Sequence, residues 1–209
     1  MAASRGQRIG IWIIAIFMAV GTIGSFVAIV LANQNDTNDK ARYTQLLNEY
    51  QKKQEDQSKE LADKYYDKFK QYESRVGEFD AASVTELKTE DLTVGDGADL
   101  TSESAFTAYY IGWTPDGKIF DQSISGETLK APFNAAPGQT IKGWSNGVAG
   151  MKVGGVRELT IPADQAYGAS GTTGIAPNTP LKFVMMVIPT PEAIEPSNEL
   201  IELNNRMQQ

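Results

Sequence analysis

The side chains of this sequence that are best suited to binding or catalysis are aromatic. In the second half of the chain they lie at the ends of predicted strands and at loop boundaries: Tyr110, Phe120, Phe133, Trp144, Tyr167 and Phe183. Glycine close to Tyr110, Trp144 and Tyr167 permits the close approach of a backbone or a ligand. The pattern indicates an apolar binding pocket, although each of these rings taken singly is more simply explained by a hydrophobic core.

The composition removes several other kinds of chemistry. The chain of 209 residues contains no cysteine and no histidine, which excludes disulfides, thiolate nucleophiles and metal sites built from these ligands. It also lacks the side chain most often used for proton transfer near neutral pH. The formal net charge of -7 argues against a nucleic-acid partner, because phosphate binding needs clustered Lys and Arg. We therefore expect no metal, no cofactor and no nucleic acid.

Short strands and one short helix must position these aromatic residues. After Asp80, Gly and Pro separate short alternating runs, which is typical of a small β-rich domain. The runs AFTAYYIGW, VRELTIP and LKFVMMVIP predict strands, and PDGK predicts a turn. In residues 141–155, Trp144, Val148 and Met151 follow a helical spacing. We expect this helix to cover one face of the sheet.

The order and spacing of the motifs in this region are specific enough to indicate a protein family. The succession YYIG, DGKIFDQS, PF, IKGW, GVAGMKVGGVRELTIPADQAYGASG and IAPNTPLKF resembles the FKBP-type peptidyl-prolyl isomerases, the macrolide-binding immunophilins, over roughly residues 84–190. The resemblance implies an α+β fold, in which a curved antiparallel sheet wraps over one short helix. It also implies that Gly143 lets the helix begin close to the sheet, so that Trp144 becomes the floor of an apolar pocket. Proline-containing polypeptides are the implied substrates, and macrolides the implied inhibitors.

The resemblance carries over to individual positions. It implies catalytic roles for Tyr110, Asp121, Trp144 and Tyr167, and substrate-binding roles for Phe120, Phe133, Thr140, Ile141, Ile175 and Phe183. The proline ring is expected between Trp144, Phe133, Phe183 and Ile141. Tyr167 is expected to donate its hydroxyl to a substrate carbonyl, and Asp121 to accept a hydrogen bond from Tyr110.

Several departures from the family pattern, among them the following, affect specificity rather than fold. Ala135 replaces the second aromatic residue of the family's PF.F motif, and Gln122 changes the usual FDSS to FDQS. The loop between Ser123 and Pro132 is longer than in small family members, so its basic position has no match in the sequence. Peptide preference, catalytic rate and macrolide affinity therefore stay open.

Isomerisation of an X-Pro bond needs neither a nucleophile nor a metal. Amide resonance maintains a barrier of about 18–20 kcal/mol to rotation, and a site that favours the twisted amide lowers it. The sequence therefore predicts a peptidyl-prolyl cis-trans isomerase. Two alternatives stay open: a binding or chaperone module that docks a proline-containing partner with little turnover, and a structural cap on a self-assembling stalk.

The N-terminal region predicts a membrane anchor. Residues 9–32 carry no charge and as a helix would span roughly 36 Å, enough to cross a hydrocarbon core of about 30 Å. Arg5 and Arg8 precede this segment, while Asp36 follows it, so residues 1–8 should lie in the cytoplasm. We expect a single-pass signal-anchor with the catalytic domain outside the cytoplasm, assisting the folding of extracytoplasmic proteins. Removal of the segment as a signal peptide is the alternative.

Residues 33–80 predict a polar helical stalk before a domain at 81–190. Five apolar residues near its end have heptad spacing: Tyr65, Phe69, Tyr72, Val76 and Phe79. A solvated helix docked on the domain, a self-associating coiled coil and a disordered segment are all compatible with this pattern. In the tail, residues 191–209, a short helix is expected to begin after Ser197.

Overall fold

The computed structural model describes residues 37–208, in two compact units. Of the described residues, those up to Glu55 and those from Ala193 onward form one unit, and Asp56–Glu192 forms the other. The predicted signal-anchor at 9–32 and the cytoplasmic segment at 1–8 lie outside the described residues. Between residues 37 and 208, every helix is too short or too polar to cross a bilayer.

The first unit pairs two helices. Helix α1, Thr37–Lys70, begins in this unit, and helix α3, Asn198–Met207, completes it. The apolar contact between them is made by Tyr43, Leu46, Tyr50, Leu200 and Leu203. The Ser197 hydroxyl accepts the backbone N–H of Leu200 at 3.2 Å, which confirms the helix start expected there.

The second unit is built on a six-stranded antiparallel sheet. Its strands are β1 Lys88–Thr93, β2 Phe106–Trp113, β3 Ile119–Gln122, β6 Phe133–Ala135, β7 Val156–Ile161 and β8 Leu181–Ile188. The order is β1-β7-β8-β2-β3, and β6 also pairs with β2. A separate two-stranded hairpin follows β3, with β4 at Ile124–Ser125 and β5 at Thr128–Leu129. The expected α+β class and antiparallel sheet are confirmed.

Helix α2, Lys142–Val148, covers one side of this sheet, which we call the pocket face. A Cβ at Gly147 would lie 2.8 Å from Leu159 Cδ2, and one at Gly143 would overlap Ile161 Cγ2. Both glycines are therefore needed for the helix to approach strand β7 this closely. Trp144 and Val148 of α2 are consequently buried against the sheet.

A second apolar cluster fills the opposite side of the sheet, the back face. Its cover consists of residues 56–70 of α1 and residues 71–79, a segment that we call the back cover. All five residues of the heptad seam pack in this cluster, with Phe69 fully buried against the sheet. Of the three alternatives for residues 33–80, the structure thus shows a helix docked on the domain. The coiled-coil alternative requires an exposed seam, whereas this seam is occupied within the unit by apolar strand residues.

Residues 71–79, which follow α1, form hydrogen bonds with several strands. The Trp113 Nε1 donates to the Gly77 carbonyl at 3.0 Å, and the Tyr72 hydroxyl lies 2.8 Å from Thr93 Oγ1. Arg75 Nε donates at 2.8 Å to Glu158, a buried carboxylate of β7. These contacts join strands β1, β2 and β7 to the back cover. The compact unit accordingly begins at Asp56, upstream of the predicted boundary at 80/81.

Candidate functional site

Trp144 lies at the centre of an aromatic cluster on the pocket face. The rings of Tyr110, Phe183 and Phe133 lie 5.1, 5.2 and 5.5 Å from the indole, at interplanar angles of 70°, 84° and 89°. Such edge-to-face contacts favour aromatic packing beyond simple burial. Trp144 is only 6% exposed, whereas Phe133 is 39% exposed. The cluster therefore has a buried indole at its base and an accessible ring at its rim.

Glycine in strand β2 makes room for two further rings. A Cβ at Gly112 would lie 2.5 Å from the Phe183 ring and 2.8 Å from the Phe120 ring. These two phenyl rings contact each other edge to face, with centroids 5.5 Å apart. Sequence reasoning noted Gly112 only as a neighbour of Tyr110. Its position inside a strand, where glycine is unfavourable, was the signal for this close approach.

Tyr110 and Asp121 form a hydrogen-bonded pair beside the indole. The Tyr110 hydroxyl donates to Asp121 Oδ2 at 2.5 Å, as the family resemblance implied. Desolvation raises the pKa of Tyr110 well above its ordinary value, and the bond to the Asp121 carboxylate raises it further. Tyr110 is therefore a neutral hydrogen-bond donor throughout the physiological pH range.

Tyr167 presents a second neutral hydroxyl. Its side chain is 38% exposed, and desolvation followed by the charge of Asp121 raises its pKa. Within residues 37–208 this hydroxyl has no hydrogen-bond partner, so its proton is available to a substrate carbonyl. The Asp121 carboxylate thus raises the pKa of both tyrosine hydroxyls, Tyr110 and Tyr167.

The other predicted positions flank the cluster. Ile175 is buried in one core cluster with Trp144 and Phe183, and Ile141 packs against that cluster. The Ile141 carbonyl accepts the Trp144 N–H at 3.0 Å, at the start of α2. Thr140 instead makes its side-chain contact with Ser145, at 3.2 Å between the hydroxyl oxygens. The structure thus brings Ile175 and Ile141 to the indole, while the Thr140 hydroxyl is engaged by the helix.

Two residues near Asp121 were missed by sequence reasoning. Ser123 is buried; its hydroxyl accepts the Tyr110 N–H at 2.9 Å and its N–H donates to the Tyr110 carbonyl at 2.8 Å. Lys130 places its Nζ 3.9 Å from Asp121 Oδ1 and donates to the Gln122 carbonyl at 2.8 Å. The long loop after Ser123 therefore does supply a basic side chain to the carboxylate. Because this loop is longer than in small family members, the sequence did not show that Lys130 takes the basic position.

Part of the chain is similar to a known protein family. Residues 96–188 match the model of the FKBP-type peptidyl-prolyl cis-trans isomerases. The chain is 44% identical over 97 residues to FK506-binding protein 4 of Gibberella zeae, covering 46% of this chain and 19% of that protein. It is 41% identical over 99 residues to a peptidyl-prolyl cis-trans isomerase of Saccharomyces cerevisiae, covering 47% and 24% respectively.

A solved structure is also similar to about half of the chain. The peptidyl-prolyl cis-trans isomerase of Pseudomonas syringae pv. tomato has 36% sequence identity and a TM-score of 0.44, over 51% of this chain and 76% of that one. The chain spans about a quarter or less of the length of the two curated relatives above.

Proposed function

We propose that this chain, whose residues 96–188 form an FKBP-type peptidyl-prolyl cis-trans isomerase domain, catalyses rotation about X-Pro bonds of polypeptides. The arrangement around Trp144 carries the proposal. Three rings surround the indole, and the hydrogen-bonded Tyr110–Asp121 pair lies at its side. An internal structural cap would need an apolar core here but no hydroxyl–carboxylate pair.

The reaction requires a site that stabilises the twisted amide more than the planar one. The planar amide has charge separation that water stabilises, and the twisted amide has less. Transfer of the bond into an aromatic environment therefore disfavours the planar state. Each tenfold acceleration needs a difference of only about 1.4 kcal/mol between the two states.

The residues divide this task between them. Trp144, Phe133, Phe183 and Ile141 receive the proline ring and exclude water from it. Tyr167 donates its free hydroxyl to a substrate carbonyl and holds the peptide in register. The Tyr110–Asp121 pair forms the polar rim beside the rotating bond. Because both tyrosine pKa values are raised, these donors keep their protons at neutral pH.

The test is the rate of cis–trans exchange of a series of X-Pro peptides with the full chain. We expect acceleration over the uncatalysed exchange, which takes tens to hundreds of seconds, and inhibition by FK506-type macrolides. Tyr167→Phe should lower kcat/KM by roughly fivefold, the equivalent of about 1 kcal/mol for one hydrogen bond. Rates equal to the uncatalysed exchange, with peptide binding retained, would favour the non-catalytic binding module instead.

We also propose that residues 9–32 tether the protein to a membrane with this domain outside the cytoplasm, where it assists protein folding. The uncharged length of the segment and the arginines before it support this orientation. Protease added to intact cells should digest the domain, and alkaline carbonate should leave the protein with the membranes. Release of the protein by carbonate would contradict the tether, and protection of the domain from protease would contradict its placement outside the cytoplasm.

A further inference from the structure

The hairpin between β3 and Pro132 contacts both faces of the sheet. Its two apolar residues, Ile124 and Leu129, are buried in the back-face cluster. Ala62, Tyr65 and Phe69 of α1 belong to the same cluster. The hairpin is therefore buried in the same cluster as the helix, although it begins directly after Asp121 and Gln122 of β3.

The turn of the hairpin also contacts α1. The Tyr66 hydroxyl donates to the Gly126 carbonyl at 3.4 Å. The pKa of Lys70 is raised, chiefly by its bond to Asp67, and Glu127 in the hairpin turn adds attraction. Gly126 has a positive φ of 61°, which suits the tight turn that presents these two residues to the helix. One hydrogen bond and the charge attraction between Glu127 and Lys70 thus link the hairpin turn to the helix.

The other end of the hairpin reaches the candidate site. Lys130 directly follows Leu129, and its N–H donates to the Ser123 carbonyl at 2.8 Å. Ser123 in turn bonds both backbone groups of Tyr110. The Lys130 ammonium bonds the Gln122 carbonyl at 2.8 Å and lies 3.9 Å from Asp121 Oδ1. The buried residue Leu129 and the cation Lys130, which lies beside the Asp121 carboxylate, are therefore consecutive in the chain.

We propose that residues 62–70 of α1 position the Asp121 carboxylate through this hairpin. The helix anchors Leu129, and Leu129 holds Lys130. The ammonium restrains the half-exposed carboxylate so that its other oxygen keeps accepting the Tyr110 hydroxyl. Lys130 and the helix residues act as positioning residues, because their effect reaches the site through the Asp121 carboxylate. The inference rests on the proposed isomerase function and adds the helix to that site.

A double-mutant cycle on the full chain tests this connection. Leu129→Ala releases the anchor, and Lys130→Met removes the cation while keeping most of the aliphatic length. We expect each to lower kcat/KM by about fivefold, which corresponds to about 1 kcal/mol. The double variant should be no worse than either single variant, because both changes remove the same restraint. Lys130→Arg retains the cation and should restore most of the activity.

Val156→Ala is the matched control, because Val156 is buried in the same back-face cluster but lies on β7. It should lower stability without changing kcat/KM, measured at a temperature where circular dichroism shows every variant folded. Multiplicative losses in the double variant, or an equal loss in Val156→Ala, would overturn the proposal.

A second readout is independent of turnover. The Tyr110 hydroxyl proton, identified in the NMR spectrum by its absence in Tyr110→Phe, should shift or exchange faster in Leu129→Ala and Lys130→Met. It should be unchanged in Val156→Ala. An inactive wild type in which these shifts still occur would refute the isomerase function but keep the positioning role. A signal that is unchanged in all three variants would refute the positioning role.

Discussion

Tyr109 and Tyr110 are consecutive residues of β2 that face opposite sides of the sheet. Tyr109 is fully buried on the back face, 6.2 Å from the Phe69 ring and 6.0 Å from the Tyr65 ring. Among the described residues its hydroxyl has no hydrogen-bond partner. The Tyr110 hydroxyl, by contrast, donates to Asp121 at the candidate site. Two identical side chains therefore lie in a closed core on one face and at the candidate site on the other.

The difference between the two faces lies in their covers. The back face is closed by the back cover, whose Phe69 side chain is completely buried against the sheet. Within residues 37–208, the pocket face is covered by the seven-residue helix α2 and by loops, and Phe133 and Tyr167 stay more than one-third exposed. Aromatic clusters of similar composition thus become a closed core or a candidate binding site according to how completely they are covered. Substitutions on the back face should change stability, and those on the pocket face should change turnover.

The largest expected effect is on the closed face. Phe69→Ala should lower the free energy of unfolding by about 4 kcal/mol, because a fully buried ring leaves a cavity. Phe133→Ala is the matched control on the open face. It should cost about 1 kcal/mol or less, since that ring is already 39% exposed. Urea unfolding of both variants measures the difference, and equal losses would abolish the contrast between the faces.

Two tryptophans give the next comparison. Trp144→Leu removes the base of the candidate pocket and should lower kcat/KM at least tenfold, which corresponds to about 1.4 kcal/mol in the barrier. Trp113→Leu, on the back face, loses the Nε1 bond to the Gly77 carbonyl and should lower stability while keeping turnover. Peptide isomerisation assays and thermal unfolding on both variants separate these outcomes. Full activity in Trp144→Leu would remove the indole from the mechanism.

The consecutive tyrosines provide a smaller but sharper test. Tyr110→Phe removes the donor to Asp121 and should lower kcat/KM by about fivefold, or about 1 kcal/mol. Tyr109→Phe should leave kcat/KM unchanged. It should also leave stability equal or higher by up to about 1 kcal/mol, because it removes an unpartnered buried hydroxyl. A loss of activity in Tyr109→Phe alone would reverse the assignment of the two faces.

The smallest effect appears only in alkali. Desolvation raises the pKa of Tyr109 above its ordinary value of about 10, with a minor contribution from Tyr65. The folded state therefore keeps its proton where the unfolded state loses it. The contribution of Tyr109 to the free energy of unfolding is therefore fully present below about pH 10 and decreases as the pH rises above it. Tyr109→Phe should flatten this part of the stability–pH curve, as measured by urea midpoints between about pH 8 and 11. A curve identical to that of the wild type would contradict the burial argument.

Residue order was sufficient for much of the candidate site. The family motifs indicated Tyr110, Asp121 and Trp144, and the hydrogen bond and ring contacts among them are present. The roles of Ser123 and Lys130 were not predictable, because they depend on a hairpin whose fold is set by burial against a distant helix. Local patterns report the period of an element, whereas such a contact joins residues some sixty positions apart.

The stalk shows the same limit. A spacing of four and three predicts an apolar stripe on a helix, whether its partner is a second helix or a sheet. Tyr65 and Phe69 follow that spacing and pack on strands of their own chain. The period of the pattern was thus a property of the sequence, and the identity of the packing partner was not.

The sequence by itself determined the strand pattern, the glycines that allow α2 to approach β7, the aromatic residues of the site, and the absence of cysteine and histidine. Alternation, spacing and backbone freedom are local properties, and they can be read from the residues in order. Only the tertiary structure decided which face of the sheet was closed by α1 and that Lys130 lay beside Asp121. Those outcomes depend on the free energy of burying apolar surface between segments far apart in the chain.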